Sequence, residues 1–302
     1  MSRVLLTGAT GYIGRSVQDA LLARDFEVHA TSRNAVQVDS KIAWHHVDLL
    51  DSASVAKLLK TISVTHLIHL AWVTEPGAYW QSSDNARWQA ASIELLKNFS
   101  ASGGKRAVLA GTCAEYDWSS GHCSEESTPL KAQSPYTTAK LAFRDAANAL
   151  AATTDIELVW ARIFYSFGPH EYPQRLIAAV VLALLDRKRA ACSDGEQLRD
   201  FMYVRDLADA FVAVLRSSFC GDINLASGQV ISIKELVTLV ANKMHAVELV
   251  DFGARAMQAG EPPIISADTS RLRESVGWTS KYDIESALDE TIAWWKKQGS
   301  SA

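Results

Sequence analysis

Val4-Leu5-Leu6-Thr7-Gly8-Ala9-Thr10-Gly11-Tyr12-Ile13-Gly14 stands close to the start of the chain, and its reading decides the fold. The short apolar run predicts a strand over Arg3 to Thr7. Beyond the glycines, Ile13, Val17 and Leu21 recur every fourth residue, which predicts a helix with one apolar stripe. A strand, a glycine turn and a helix in that order bring backbone N–H groups and the positive end of the helix dipole onto a phosphate. Gly8, Gly11 and Gly14 remove the Cβ atoms that would keep a pyrophosphate away, so these three, with Thr10, Tyr12 and Ile13, are the expected dinucleotide contacts.

The second strand ends Ala30-Thr31-Ser32-Arg33. A site that selects NAD usually carries an acid here for the ribose 2′-hydroxyl, whereas Ser32 followed by Arg33 suits a 2′-phosphate through charge-assisted hydrogen bonds. NADP(H) is the preferred expectation, with NAD(H) possible; the alternative is that Arg33 is a solvated loop charge. In Val47-Asp48-Leu49, Asp48 has two readings, an adenine contact or a cap for the helix starting near Ser52.

Further strands are predicted at Glu27 to Thr31, His66 to Leu70, Ala107 to Ala110 and Glu157 to Arg162, alternating with amphipathic stretches. That rhythm predicts an α/β fold with a Rossmann-like, doubly wound parallel sheet. After Gly168-Pro169 the pattern loosens, with helices predicted over Arg175 to Asp186, Asp206 to Ser217, Ile233 to Met244 and Ile284 to Trp295. The expected division is a nucleotide-binding part over residues 1–165 and a mostly substrate-binding part over 166–302, interleaved with the first and not joined by a flexible linker. A formal charge of -4 gives no basic field for nucleic acid, and no run approaches the roughly 18 to 20 apolar residues of a membrane span. Ser2-Arg3 leads straight into the first strand, leaving no room for a signal peptide, so the expected location is cytoplasmic. Cys113, Cys123, Cys192 and Cys220 form no paired motif and read as reduced thiols.

Ser134-Pro135-Tyr136-Thr137-Thr138-Ala139-Lys140 sets Tyr136 and Lys140 on one face of a helix. A phenol with a pKa of about 10 is a poor acid–base at neutral pH, and a neighbouring ammonium is expected to bring its proton within reach. Together with the glycine loop, His69-Leu70-Ala71, Thr112 after a strand, and Arg199-Asp200-Phe201-Met202-Tyr203-Val204-Arg205-Asp206, this segment resembles the extended short-chain dehydrogenase/reductases along nearly the whole chain. The resemblance implies that Thr112 hydrogen-bonds the reacting oxygen, that Tyr136 transfers the proton, and that Lys140 also holds the nicotinamide ribose. It implies further that Leu70 and Ala71 line the cofactor, that the substrate is a nucleotide-activated sugar, and that the protein is a homodimer.

Gly111-Thr112-Cys113-Ala114-Glu115-Tyr116 narrows the reaction. In the 4,6-dehydratases of this family the two positions after the Thr carry an acid and a base; here they are Cys113 and Ala114, with Glu115 one place later. The GDP-fucose synthases use a cysteine two positions after the Ser/Thr, where this chain has Ala114, so Cys113 reads as packing. What remains is plain hydride transfer, and Gly111 to Trp118, together with Tyr79-Trp80 and Asn85-Ala86-Arg87-Trp88, resembles the bacterial 4-ketoreductases of nucleotide 4-keto-6-deoxyhexoses. Trp72, Cys113, Glu115, Tyr165, Arg175 and Arg199 make up the expected substrate side, Tyr165 standing where the family commonly has an Asn. Arg255 is the candidate to replace an arginine usually found at the place of Gln258. A 4-epimerase with retained NAD and a non-catalytic NADP(H) sensor are the competing functions.

Overall fold

Val4, Leu5 and Leu6 are consecutive and all fully buried, so the first strand is covered on both faces, which requires a helical layer on each side of its sheet. The computed structural model describes residues 2–34, 41–257 and 260–299. The first elements are β1 (Arg3–Thr7), α1 (Tyr12–Leu22), β2 (Glu27–Ser32), β3 (Ile42–His46), α2 (Ser52–Thr61), β4 (His66–His69), α3 (Asp84–Ala101) and β5 (Arg106–Thr112). They are followed by β6 (His122–Cys123), α4 (Pro135–Ala151), β7 (Glu157–Ile163), β8 (Tyr165–Phe167), α5 (Leu176–Leu185), β9 (Ala190–Ala191), β10 (Leu198–Tyr203), α6 (Val204–Arg216) and β11 (Gly221–Leu225). The chain closes with β12 (Val230–Ser232), α7 (Ile233–Lys243), β13 (Val250–Asp251), β14 (Ile264–Ala267) and α8 (Ile284–Gly299).

Seven strands form the large sheet in the order β11-β7-β5-β4-β1-β2-β3, all parallel. The chain starts at β1, winds outward to β3, then returns to β4 on the other side, so a crevice opens beyond the carboxyl ends of β1 and β4. One face of the sheet packs against α1 and α6 through Val17, Leu21, Leu207, Phe211 and Leu215; the other packs against α2, α3 and α4 through Leu59, Phe99 and Phe143. A second core, with Val181, Val237 and Leu288, joins α5, α7 and α8 beside a smaller sheet of β12, β10, β14 and β6, with β8 paired to β10. No described helix is long and apolar enough to cross a membrane.

Every strand and helix predicted from the sequence is present, but two strands of the large sheet were not predicted. β3 is an edge strand, half-exposed, with Trp44-His45-His46 in place of a clean apolar alternation. β11 lies in the part of the chain expected to be mostly substrate-binding; it extends that sheet beyond β7, and α6 before it covers the same face as α1. Arg106 fastens this return. Its guanidinium, in a residue 4% exposed, donates to Leu215 O at 2.8 Å, Val214 O at 2.8 Å and Phe219 O at 2.7 Å, so a residue of β5 closes the open carbonyls of the last turn of α6. Replacing Arg106 by Ala removes this donor from Leu215 O, Phe219 O and Glu157, with Val214 O keeping Ser217, and is expected to lower unfolding free energy by about 3 kcal/mol in urea melts. An unchanged midpoint and slope would show that α6 is held by its apolar face alone.

Candidate active site

Ser134 begins α4 with a hydroxyl that accepts from Thr137 N at 3.2 Å, and Pro135 occupies the first turn, so the helix starts at a defined residue. Tyr136 and Lys140 follow one turn apart on its buried face, 7% and 4% exposed. Thr112 ends β5 and caps the tight turn after it, its hydroxyl accepting from Ala114 N at 3.2 Å. Burial pushes the Tyr136 phenol well above its usual pKa, with Tyr79 and Glu115 adding to the rise, while a hydrogen bond from the Thr112 side chain lowers it. Tyr136 is therefore held as a proton carrier.

The spacing argument placed the Lys140 ammonium against that phenol. Lys140 Nζ instead donates to Ala110 O at 2.9 Å and lies 3.8 Å from the centre of the Trp72 ring. Burial lowers its pKa and the charge of Glu115 opposes that. Next to it His69 is pushed down to about 3 by burial, with Lys140 adding to the fall; as a neutral ring it bridges Thr7 Oγ1 at 2.7 Å and Ser92 Oγ at 2.8 Å. The hydroxyl of Thr7 also accepts from Ala71 N at 3.4 Å, which pins the ends of β1 and β4 together.

A cavity of about 620 Å³ fills the crevice above these ends. Gly8, Thr10, Gly11, Tyr12, Ile13 and Gly14 line it, as do Ser32, Arg33, Leu49, Leu70 and Ala71, together with Thr112, Tyr136 and Lys140. The glycines are needed sterically. Gly8 sits at φ +70°, where a Cβ would also come within 2.8 Å of Ala71 N, and a Cβ on Gly14 would strike Gly8 O at 2.1 Å. The residues fit a dinucleotide: a tight cradle runs into the N-terminus of α1, and Glu171 Oε2, which lines the same cavity, is buried with no hydrogen-bond partner among the described residues.

Asp48 is a departure from the expectation. It lies outside the cavity, exposed, accepting from Leu50 N at 3.0 Å, while Asp51 caps α2 through Ala53 N and Ser54 N. The chain turns between Leu49 and Ser52, so the carboxylate that meets the helix end is the later one.

On the substrate side Trp72, Cys113, Tyr165, Arg175 and Arg199 line the same cavity, and Glu115 does not. Glu115 is fully buried behind it. Its Oε1 accepts from Thr112 N at 2.9 Å, and its Oε2 accepts from Trp160 Nε1 at 2.9 Å and Arg162 Nε at 2.8 Å. A turn with about three residues per revolution carries the side chain of Glu115 back over Thr112 and into the sheet. Burial raises its pKa while Arg162 pulls it down, and with three donors aimed at it the carboxylate is the form that satisfies every partner. The Cys113 thiol is pushed up by burial and stays protonated. Arg199, 1% exposed, donates to Glu261 Oε1 at 2.8 Å. Arg255 is exposed and away from the cavity, and Gln258 lies outside the described residues.

Two kinds of cavity residue had no site role assigned from the sequence, Tyr79 and Trp80 having entered only through the ketoreductase resemblance. Tyr79 and Trp80 place their ring centroids 4.9 Å and 5.5 Å from that of Tyr136, in an edge-to-face group whose signal was the aromatic pair itself. Glu171 had a weaker signal, an acid two residues after the Gly168-Pro169 turn.

Residues 4–226 match the model of the NAD dependent epimerase/dehydratase family. The chain belongs to that family. It is thus an oxidoreductase-type enzyme of the extended short-chain dehydrogenase/reductase group. It is similar to UDP-glucose 4-epimerase 1 of Oryza sativa subsp. japonica, 26% identical over 340 residues, covering 97% of this chain and 94% of that one. It is similar also to CDP-abequose synthase of Salmonella typhimurium, 25% identical over 308 residues, with 96% and 97% covered. Among solved structures, MoeE5 in complex with UDP-glucuronic acid and NAD shares the fold with a TM-score of 0.86 at 24% identity, covering 98% of this chain and 100% of that one.

Within the epimerase/dehydratase family this chain thus spends the acid of its β5 turn on structure. Glu115→Gln replaces an acceptor by a group that also donates, facing three donors, and is expected to cost about 3–5 kcal/mol in chemical denaturation. A loss below about 0.5 kcal/mol would mean that the side chain is free to face substrate.

Proposed function

We propose that this enzyme uses NADPH to reduce the C4 ketone of a nucleotide-activated 4-keto-6-deoxyhexose to a hydroxyl. The observation that carries the reading is that the Cys113-Ala114-Glu115 turn offers Tyr136 no acid–base partner: a buried protonated thiol, a methyl group, and a carboxylate locked to Arg162. Removing water or inverting a neighbouring carbon needs a second proton-transfer group near the ring; hydride transfer to a ketone needs one donor at the oxygen.

A bound reduced nicotinamide supplies the hydride. Tyr136, kept protonated by burial, donates its proton to the ketone oxygen, and the Thr112 hydroxyl hydrogen-bonds that oxygen as charge develops on it. Lys140, one turn along α4 with its ammonium held on Ala110 O, is left to hold the nicotinamide ribose of the bound cofactor. Arg199 and Arg175 supply cationic groups for the substrate diphosphate. The choice of NADPH is supported by Ser32 in place of an acid and by the exposed guanidinium of Arg33 at the adenosine end of the cavity, with NADH accepted less well. The reading places the enzyme in the cytoplasm.

A second reading, a nucleotide-sugar 4-epimerase with retained NAD, is favoured by the similarity to the rice UDP-glucose 4-epimerase. The two separate in one assay. Purified protein given dTDP-4-keto-6-deoxyglucose is expected to oxidise NADPH faster than NADH, and Tyr136→Phe is expected to lower kcat by roughly 10²–10⁴. Unchanged turnover in that variant overturns the assignment of Tyr136, and no oxidation of either cofactor, with NAD released on denaturing the protein, makes it the epimerase.

A further inference from the structure

Glu171 is a buried acid that the reaction described above does not use. It lies between the Gly168-Pro169 turn and α5, it is 7% exposed, and it lines the cavity. Its backbone N–H reaches Gly168 O at 3.4 Å, and the Gly168 N–H in turn bonds its carboxyl, yet Oε2 has no partner. The start of α1, in the nucleotide half, lines the same cavity. Tyr12, the first residue of that helix and the neighbour of Gly11, has its own buried hydroxyl, and Glu171 acts on it electrostatically. Among the described residues Glu171 Oε2 is thus a buried, unpaired acceptor in the cavity that the glycine cradle also lines, where the pyrophosphate of a dinucleotide would lie over the N-terminus of α1.

The sign of the charge at Glu171 decides what it can do there. An ionised carboxylate would repel a pyrophosphate; a neutral carboxyl has one O–H to donate. The groups facing the cluster are few. Arg175, before α5, is the guanidinium that lowers the pKa of both Glu171 and Tyr12; Ser166 on β8 hydrogen-bonds Tyr12, and Tyr203 on β10 adds a neutral phenol. Arg15 and Asp19 on α1 act on the adjacent His170. Burial outweighs Arg175 and pushes Glu171 up to about 8, so at neutral pH the acid is protonated.

We propose that Glu171 is a cofactor-binding residue, a neutral acid whose Oε2 hydroxyl donates to a pyrophosphate oxygen of the dinucleotide, so that cofactor and proton bind together. The proposal rests on a dinucleotide occupying the cavity but not on the identity of the sugar. The linkage has a definite sign. Anionic pyrophosphate next to Glu171 raises its pKa above that of the free protein, so the bound state holds more protons and affinity falls as pH rises past about 8. Each pH unit above that point weakens binding by up to about tenfold.

The test is calorimetric titration of the full-length protein with NADPH, and separately with NADH, which lacks the 2′-phosphate and its own titration. Titrations at about pH 8.5 in buffers of different ionisation enthalpy count the protons taken up. The expected result is uptake of about half a proton or more with both cofactors, absent in Glu171→Gln, whose affinity relative to wild type improves about tenfold between pH 7 and 9. No uptake in wild type, or equal uptake in Glu171→Gln, overturns the proposal. Should Glu171→Gln not fold, Lys140→Met removes the other described group that lines the cavity with its pKa brought near neutrality; uptake persisting there supports Glu171 and its loss refutes it. Binding of neither cofactor removes this proposal and the reductase reading together, whereas binding with proton uptake but no ketosugar reduction leaves Glu171 in its role and removes only the reductase.

Discussion

The reacting centre hangs on a chain of four buried or half-buried charges that begins at Glu115. Arg162, which holds Glu115, also donates to Asp222 Oδ2 at 3.0 Å, and Arg144 grips the same carboxylate at 2.7 Å. The turn after β5, the strands β7 and β11, and the helix α4 that bears Tyr136 are therefore tied by alternating acids and guanidinia with no net charge. Removing such groups from water costs several kcal/mol each, and the cost is offset only because nearly every donor and acceptor finds a partner, down to the Tyr116 hydroxyl that receives from Arg162 at 3.2 Å and donates to Asn224 at 2.8 Å. An arrangement of that kind tolerates one geometry. It fixes Thr112 relative to Tyr136 and leaves the turn between them chemically quiet.

The same economy explains how the two halves of the chain share one site. α6 and β11 return to the large sheet, and Arg106 closes the end of α6 from β5, so the later residues that line the cavity are anchored to the nucleotide-binding layer. Arg175, Tyr165 and Arg199 reach the cavity from α5, β8 and β10 on the far side of the crevice. The cofactor cradle is equally constrained: a side chain at Gly8 would push the turn off Leu70 and Ala71 at the end of β4, and one at Gly14 would push α1 off the turn.

Much of this was legible in the residues alone, for physical reasons. The glycine loop declares itself because strand, turn and helix periodicities change within a dozen residues, and the helix of Tyr136 and Lys140 carries its own cap in Ser134-Pro135. Strands buried on both faces read as apolar runs. β11 did not, because Gly-Asp-Ile-Asn-Leu looks like a polar turn; its Asp222 and Asn224 are partners in buried networks that only the assembled fold creates. Glu115 was misplaced for a related reason. Counting positions along a loop treats each residue as one step toward the substrate, whereas a tight helical turn brings the third residue back over the first. Lys140 and Asp48 repeat the lesson: spacing identifies the face or the turn, and competition among nearby acceptors decides the contact.

In the proposed reduction, hydride reaches the ketone without proton chemistry on the neighbouring carbons. Running the reduction of dTDP-4-keto-6-deoxyglucose in D2O with unlabelled NADPH, and reading the product by proton NMR, tests it directly. The C3 and C5 protons are expected to be retained at the level of an enzyme-free control. Enzyme-dependent deuterium at either carbon would contradict it, because a base would then have to act at the turn where the structure provides none.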